Sequence, residues 1–196
     1  MKKFISLALC LVLVMSLAAC GEKEPPVTEP EKPLYEEGCE IDNLCYGSDL
    51  PVIDGNGETG ETINPAKTGK VTVINFWGTW CNPCVSELPH FDEVAREYAD
   101  SVTVVAIHSV EGRKKAAAFI GENYPDSPII FSWEESQDYN GDYYKLLGGN
   151  GSYPYTLILN AEGVITFKQV GMMNYEELTT QVEVALGICE LPVETN

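Results

Sequence analysis

The sequence predicts an α/β fold, a central mixed β-sheet flanked by helices, and two stretches carry that prediction. In the first, Val71 to Trp77 is a nearly continuous apolar, β-branched run, the pattern of a strand buried on both faces. Val85, Leu88, Phe91, Val94 and Tyr98 then fall at helical spacing, and Ser101 to Ile107 is a second apolar run. Strand, helix and strand in such quick succession form a βαβ unit with parallel pairing. In the second stretch, Tyr155–Leu159 and Val164–Val170 flank Asn160-Ala161-Glu162-Gly163, a hairpin with glycine where a left-handed residue fits.

The other elements fill in around these two. Asp49 to about Ile63 suits a small N-terminal hairpin. Arg113 to Tyr124, with Ala116, Ala117, Phe119 and Ile120, reads as a helix stopped by Pro125. Pro128 to Phe131 is a short strand, and Asp142 to Leu147 a short helix closed by Gly148-Gly149. Asn174 followed by Glu177 is a capping-box pattern, and Leu178, Val182 and Ala185 give the last helix its apolar stripe.

The N-terminus has a different composition. Lys2 and Lys3 precede an apolar run of fourteen residues, Phe4 to Leu17, which is signal-peptide length and too short for a stable membrane span. The run ends in Leu17-Ala18-Ala19-Cys20-Gly21, which resembles a bacterial lipobox and implies a lipidated Cys20 as first mature residue. From Gly21 to Gly38 the chain holds four prolines, six glutamates and almost no core-forming residue. Such a stretch cannot bury enough surface to offset its ordering entropy and reads as a stiff tether, spanning up to ~55 Å if wholly polyproline-like. Residues 1–19 are thus expected to be a leader, 20–38 the anchor and tether, and 39–196 one domain able to bury its own core.

Charge narrows the partners. The chain carries a formal charge of −18, and losing the leader with Lys2 and Lys3 makes it −20. So acidic a body repels nucleic acid and anionic headgroups, so attachment to a membrane falls to the acyl anchor. With Cys10 in the leader and Cys20 lipidated, Cys39, Cys45, Cys81, Cys84 and Cys189 remain. Their odd number leaves at least one thiol outside any intramolecular set of bridges. A local bridge between Cys39 and Cys45 is open, and Cys189 lies beyond the last helix.

The chemistry sits at Trp80-Cys81-Asn82-Pro83-Cys84, where a strand ends and a helix begins. The first sulfur there meets unpaired amide N–H groups and the positive end of the helix dipole, which favour thiolate over thiol. Cys81 is placed to attack a partner disulfide, and Cys84, one turn in, to resolve the mixed disulfide. Pro83 removes a donor and stiffens the loop. Covalent haem would need a histidine where Val85 stands. A structural zinc site lacks two further ligands, since the chain has only His90 and His108 and no second close cysteine pair. No metal is therefore expected, and no cofactor beyond the redox-active disulfide itself.

The run Asn75-Phe76-Trp77-Gly78-Thr79-Trp80-Cys81-Asn82-Pro83-Cys84, with Glu87, Leu88 and Pro89 after it, resembles the TlpA/ResA branch of the thioredoxin superfamily over roughly Asp49 to Leu186. The resemblance implies a thioredoxin-like fold with an N-terminal hairpin and a central αβ insertion, Glu111 to Phe131. It also implies that Pro154, in Tyr153-Pro154-Tyr155, is a cis-proline facing the redox pair. Trp80, Asn82, Pro83, Tyr153 and Pro154 would then meet the substrate chain. Where thioredoxin has a buried Asp this chain has Asn75, and the branch instead has a Glu matching Glu87, three residues past Cys84 and on its face of the helix. His108 reads as a loop residue at a strand exit. Gly148 to Gly151 lacks the Lys-Ser/Thr of a phosphate cradle, and Met172 and Met173 read as core or groove edge.

What the resemblance implies about function is disulfide reduction on exported, thiol-bearing proteins, as in cytochrome c biogenesis, with electrons from a membrane thiol carrier of the CcdA type. A disulfide-forming oxidant and a thiol peroxidase share the fold, and a non-catalytic binding lipoprotein is the reading from another class.

Overall fold

The computed structural model describes residues 48–109, 112–134 and 142–189. The expected leader, Cys20, the tether, Cys39 and Cys45 lie outside these residues.

Seven strands form one mixed sheet, in the order β2-β1-β5-β4-β3-β6-β7. In its interior, between β4 and β6, lies β3 (Val71–Trp77), buried at all seven positions, as its unbroken apolar run requires. It pairs in parallel with β4 (Val102–His108), from Val71↔Val102 to Trp77↔His108. On its other side it pairs antiparallel with β6 (Tyr155–Leu159), Asn75 facing Thr156. β7 (Ile165–Val170) closes that edge as the second arm of the hairpin. Gly163 takes φ +82° in its turn, and a Cβ there would lie 2.3 Å from the Ala66 carbonyl oxygen.

Between β3 and β4 runs α1 (Asn82–Glu97), which continues through Pro89. The insertion supplies α2 (Arg113–Asn123) and β5 (Ile130–Trp133), with β5 parallel to β4. β5 begins two residues later than the apolar run suggests, because its ladder to β4 starts at Val105↔Ile130 and Pro128 has no N–H to give. The hairpin of β1 (Leu50–Asp54) and β2 (Gly57–Ile63) extends the same sheet, through Val52↔Ser132. α3 (Asp142–Leu146) precedes β6, and α4 (Tyr175–Ala185) ends the fold with the capping box complete between Asn174 and Glu177.

Period-two alternation along β3 and β4 sorts the core into two layers. Val73, Trp77, Val104 and Ala106 pack with Leu88 and Phe91 of α1, Ile120 of α2 and Leu178 of α4. Ile74, Phe76, Val105 and Ile107 pack on the opposite face with Tyr143 and Tyr144 of α3. His108 departs from the loop reading: it is the last residue of β4, fully buried, its ring edge-on to Trp77 at 5.1 Å between centroids. Position 108 continues the inward-facing series 104, 106, so an imidazole with one apolar face fits where a loop was expected.

Candidate active site

Cys81 is the N-cap of α1, with extended backbone, and its Sγ accepts a hydrogen bond from the Cys84 N–H at 3.3 Å. The sulfur therefore takes over one of the orphan donors at the helix start, the position where negative charge on it is most stabilised. Cys81 and Cys84 are joined by a disulfide, Cα atoms 5.2 Å apart. Cys84 is completely buried and Cys81 shows 4% of its surface, while Asn82 and Pro83 between them are exposed.

An aromatic rim borders the pair. Trp80 is 43% exposed and meets the half-buried Tyr153 edge-on at 5.5 Å. Gly78 leaves room for it, since a Cβ there would lie 2.4 Å from the Trp80 indole nitrogen. Tyr153 in turn stacks on Tyr144 at 4.7 Å, and the Tyr153–Pro154 bond is cis. Tyr144 fixes the loop before that proline: its hydroxyl donates to the Ser152 carbonyl at 2.8 Å and accepts from the Gly151 N–H at 2.9 Å. This gives the glycine run a structural reason, because a Cβ at Gly149 would strike the Tyr144 ring at 2.3 Å. Of the methionine pair, Met172 is exposed and Met173 is buried in the core.

Behind the disulfide lies Glu87, with no exposed surface. Its Oε1 accepts from Asn75 Nδ2 at 2.8 Å and its Oε2 from the Met173 N–H at 2.9 Å. Burial pushes the carboxyl from 4.5 up to about 7, against the pull of those two hydrogen bonds. The i+3 spacing from Cys84 places it on the buried side of α1, one turn from the sulfur. Such a group can hold or release a proton near neutral pH beside a buried thiol.

A second buried carboxyl, Glu134, has no counterpart in the sequence reading. It follows β5, accepts from Ser109 Oγ at 2.5 Å and from the backbone N–H groups of Tyr143 and Tyr144, and is raised by its burial. It ties the ends of β4 and β5 to the start of α3, whose Tyr144 braces the Pro154 loop. No local signal points to it, since α3, whose first N–H groups it accepts from, begins eight residues later at Asp142.

Comparison with known proteins agrees with this geometry. The Redoxin family model matches residues 46–184. The thioredoxin-like protein YneN of Bacillus subtilis (strain 168) is 35% identical over 118 residues, 59% of this chain and 65% of YneN. The sporulation thiol-disulfide oxidoreductase A of the same organism is 28% identical, over 63% of this chain and 73% of the relative. The thiol-disulfide oxidoreductase ResA of Bacillus thuringiensis (strain Al Hakam) is 27% identical, over 56% and 60%. The matches to YneN and ResA thus span less than two thirds of those relatives. Among solved structures, StoA of Bacillus subtilis superposes with a TM-score of 0.52 at 24% identity, covering 69% of this chain and 97% of StoA. The exposed lipoprotein thioredoxin Etrx1 of Streptococcus pneumoniae strain TIGR4 gives 0.55 at 21%, covering 70% and 99%. The fold is thioredoxin-like, and the chain belongs to the Redoxin family.

Proposed function

We propose that this protein is a membrane-anchored, extracytoplasmic thiol–disulfide oxidoreductase that reduces disulfides of exported proteins through Cys81 and Cys84. The observation that carries the reading is the pair itself: Cys81 Sγ capping α1, Cys84 buried behind it, and a carboxyl one turn further in. Relatives named thiol-disulfide oxidoreductases support it.

In the reduced protein the Cys81 thiolate attacks one sulfur of the substrate disulfide, forming a mixed disulfide and releasing the other substrate sulfur as thiolate. Cys84 loses its proton to Glu87 and attacks Cys81 Sγ. The Cys81–Cys84 bond forms, the second substrate thiolate leaves, and two electrons have passed to the substrate. Trp80, Asn82, Pro83, Tyr153 and Pro154 form the surface over which the substrate strand lies. A membrane thiol carrier of the CcdA type returns the pair to the dithiol, and lipidated Cys20 holds the domain at the membrane's outer face.

Equilibration of the pair against glutathione tests the direction. A potential near thioredoxin's, about −270 mV, supports the reductant, and one near about −120 mV identifies an oxidant. Acyl labelling tests the anchor: label retained by Cys20→Ala contradicts it.

A further inference from the structure

Asn75 and Thr156 stand opposite one another in the β3–β6 ladder, both fully buried, on the sheet face that α1 covers. The Asn75 amide uses its nitrogen twice: Nδ2 donates to Glu87 Oε1 at 2.8 Å and to Thr156 Oγ1 at 3.1 Å. Its Oδ1 is buried with no hydrogen-bond partner among the described residues. Leaving a buried carbonyl oxygen unpaired is costly, so the amide is oriented by what its two N–H groups gain. The Thr156 hydroxyl fixes the second of them, which aims the first at the carboxyl. Glu87 Oε2 is taken by the Met173 N–H.

We propose that Asn75, braced by Thr156, is a positioning residue that holds Glu87 Oε1 and sets the pH at which Glu87 releases its proton. The inference rests on the reading of Glu87 as the proton acceptor for Cys84, and it gives a role to the residue that stands where thioredoxin carries an ionisable Asp. A donor on the carboxyl favours its ionised form, opposing the burial that favours the acid. The groups facing Glu87 leave that balance to Asn75 and Met173. On α1 these are Cys81 and Cys84, joined as the disulfide. β6 offers the neutral Thr156, and the loop before α4 offers a backbone N–H. The titratable side chain of β4 on this face, His108, is held edge-on against Trp77. Burial raises the Glu87 equilibrium, and the Met173 N–H and the Asn75 amide pull it down.

The test is a titration of the oxidised full chain carrying 13C-labelled glutamate, with the Glu87 δ-carbon assigned from Glu87→Gln. Asn75→Leu keeps the side-chain size, removes the donor and adds no charge, so Glu87 keeps only the Met173 N–H. Its midpoint is expected above the wild-type Glu87 midpoint by about one pH unit or more, the equivalent of one lost charge-assisted hydrogen bond. Thr156→Val loosens the brace alone and is expected to shift the midpoint in the same sense by less. A merely structural pair would lower the urea midpoint of unfolding while leaving the Glu87 titration in place. Unmoved Glu87 midpoints in both folded variants overturn the proposal. The pH profile of mixed-disulfide resolution separates the two claims. If the carbon titration shifts and the rate profile does not, Asn75 still sets the Glu87 proton, and the assignment of that proton to Cys84 fails.

Discussion

Glu87 is an acid that the fold keeps from water and holds with two donors, and the balance leaves it titrating near neutrality. That has a consequence for stability. The unfolded chain releases this proton near 4.5 and the folded protein near 7, so the folded state binds more protons between those values. Stability from this group is then highest below the unfolded value and declines as pH rises through the window, by about 3 kcal/mol in total. Urea unfolding of the oxidised protein should therefore lose more stability between pH 5 and 8 than that of Glu87→Gln, in which the term is absent. Parallel losses in the two proteins would show that Glu87 is ionised throughout. The resemblance to the TlpA/ResA branch made Glu87 legible in the sequence, and its spacing from Cys84 put it on the same face of the helix. The contacts that hold it were not legible, because they come from β3 and from Met173, residues brought beside it only by tertiary packing. Glu134 escaped the sequence reading for the same reason: its partners, Ser109 and the N–H groups of Tyr143 and Tyr144, belong to other elements.

In the proposed reaction the start of α1 divides labour between two chemically identical cysteines. Cys81 caps the helix with its sulfur on the Cys84 N–H, beside the exposed Asn82 and Pro83, while Cys84 faces the core. In the proposed reaction the first meets the partner protein and the second resolves the product. With Cys84→Ser, mixed disulfides through Cys81 should accumulate, and with Cys81→Ser almost none should be trapped. Non-reducing electrophoresis after acid quenching reads both, and equal trapping would remove the assigned roles. The element carrying this chemistry was the most legible part of the chain. β3 and β6 fall where their apolar runs begin and end, and the α4 cap is the one the Asn174-to-Glu177 spacing implies. Elements drifted where a neighbour decides their ends: β4 runs on to His108, and β5 starts where its ladder to β4 does.

Across the sheet the disulfide sits beyond the end of β3, while the N-terminal hairpin forms one edge, with β5 and β4 between them. That order was not readable from local pattern, since an apolar strand does not name its partners. The hairpin was read as a small addition, yet it is built into the sheet. Val52 pairs with Ser132, whose hydroxyl donates to the Pro51 carbonyl at 2.9 Å, and Glu58 pairs with Arg113, whose guanidinium lies over the Trp133 ring. One of its approaches to the body is backbone on backbone: a Cβ at Gly55 would lie 2.5 Å from the Gly121 Cα in α2. Neither backbone can yield as a side chain does, so Gly55→Ala must push the hairpin turn and α2 apart. Overpacking of this kind costs about 1–3 kcal/mol, which should appear as a lower urea midpoint. The Cys81 trap and the Glu87 titration should keep their wild-type behaviour, because no atom of the hairpin touches the hydrogen bonds that hold Glu87. An unchanged midpoint would mean that the glycine contact is not tight. A shifted Glu87 titration in the folded variant would mean that the edge of the sheet and its redox centre are coupled through β5 and β4, and that the two cannot be altered independently.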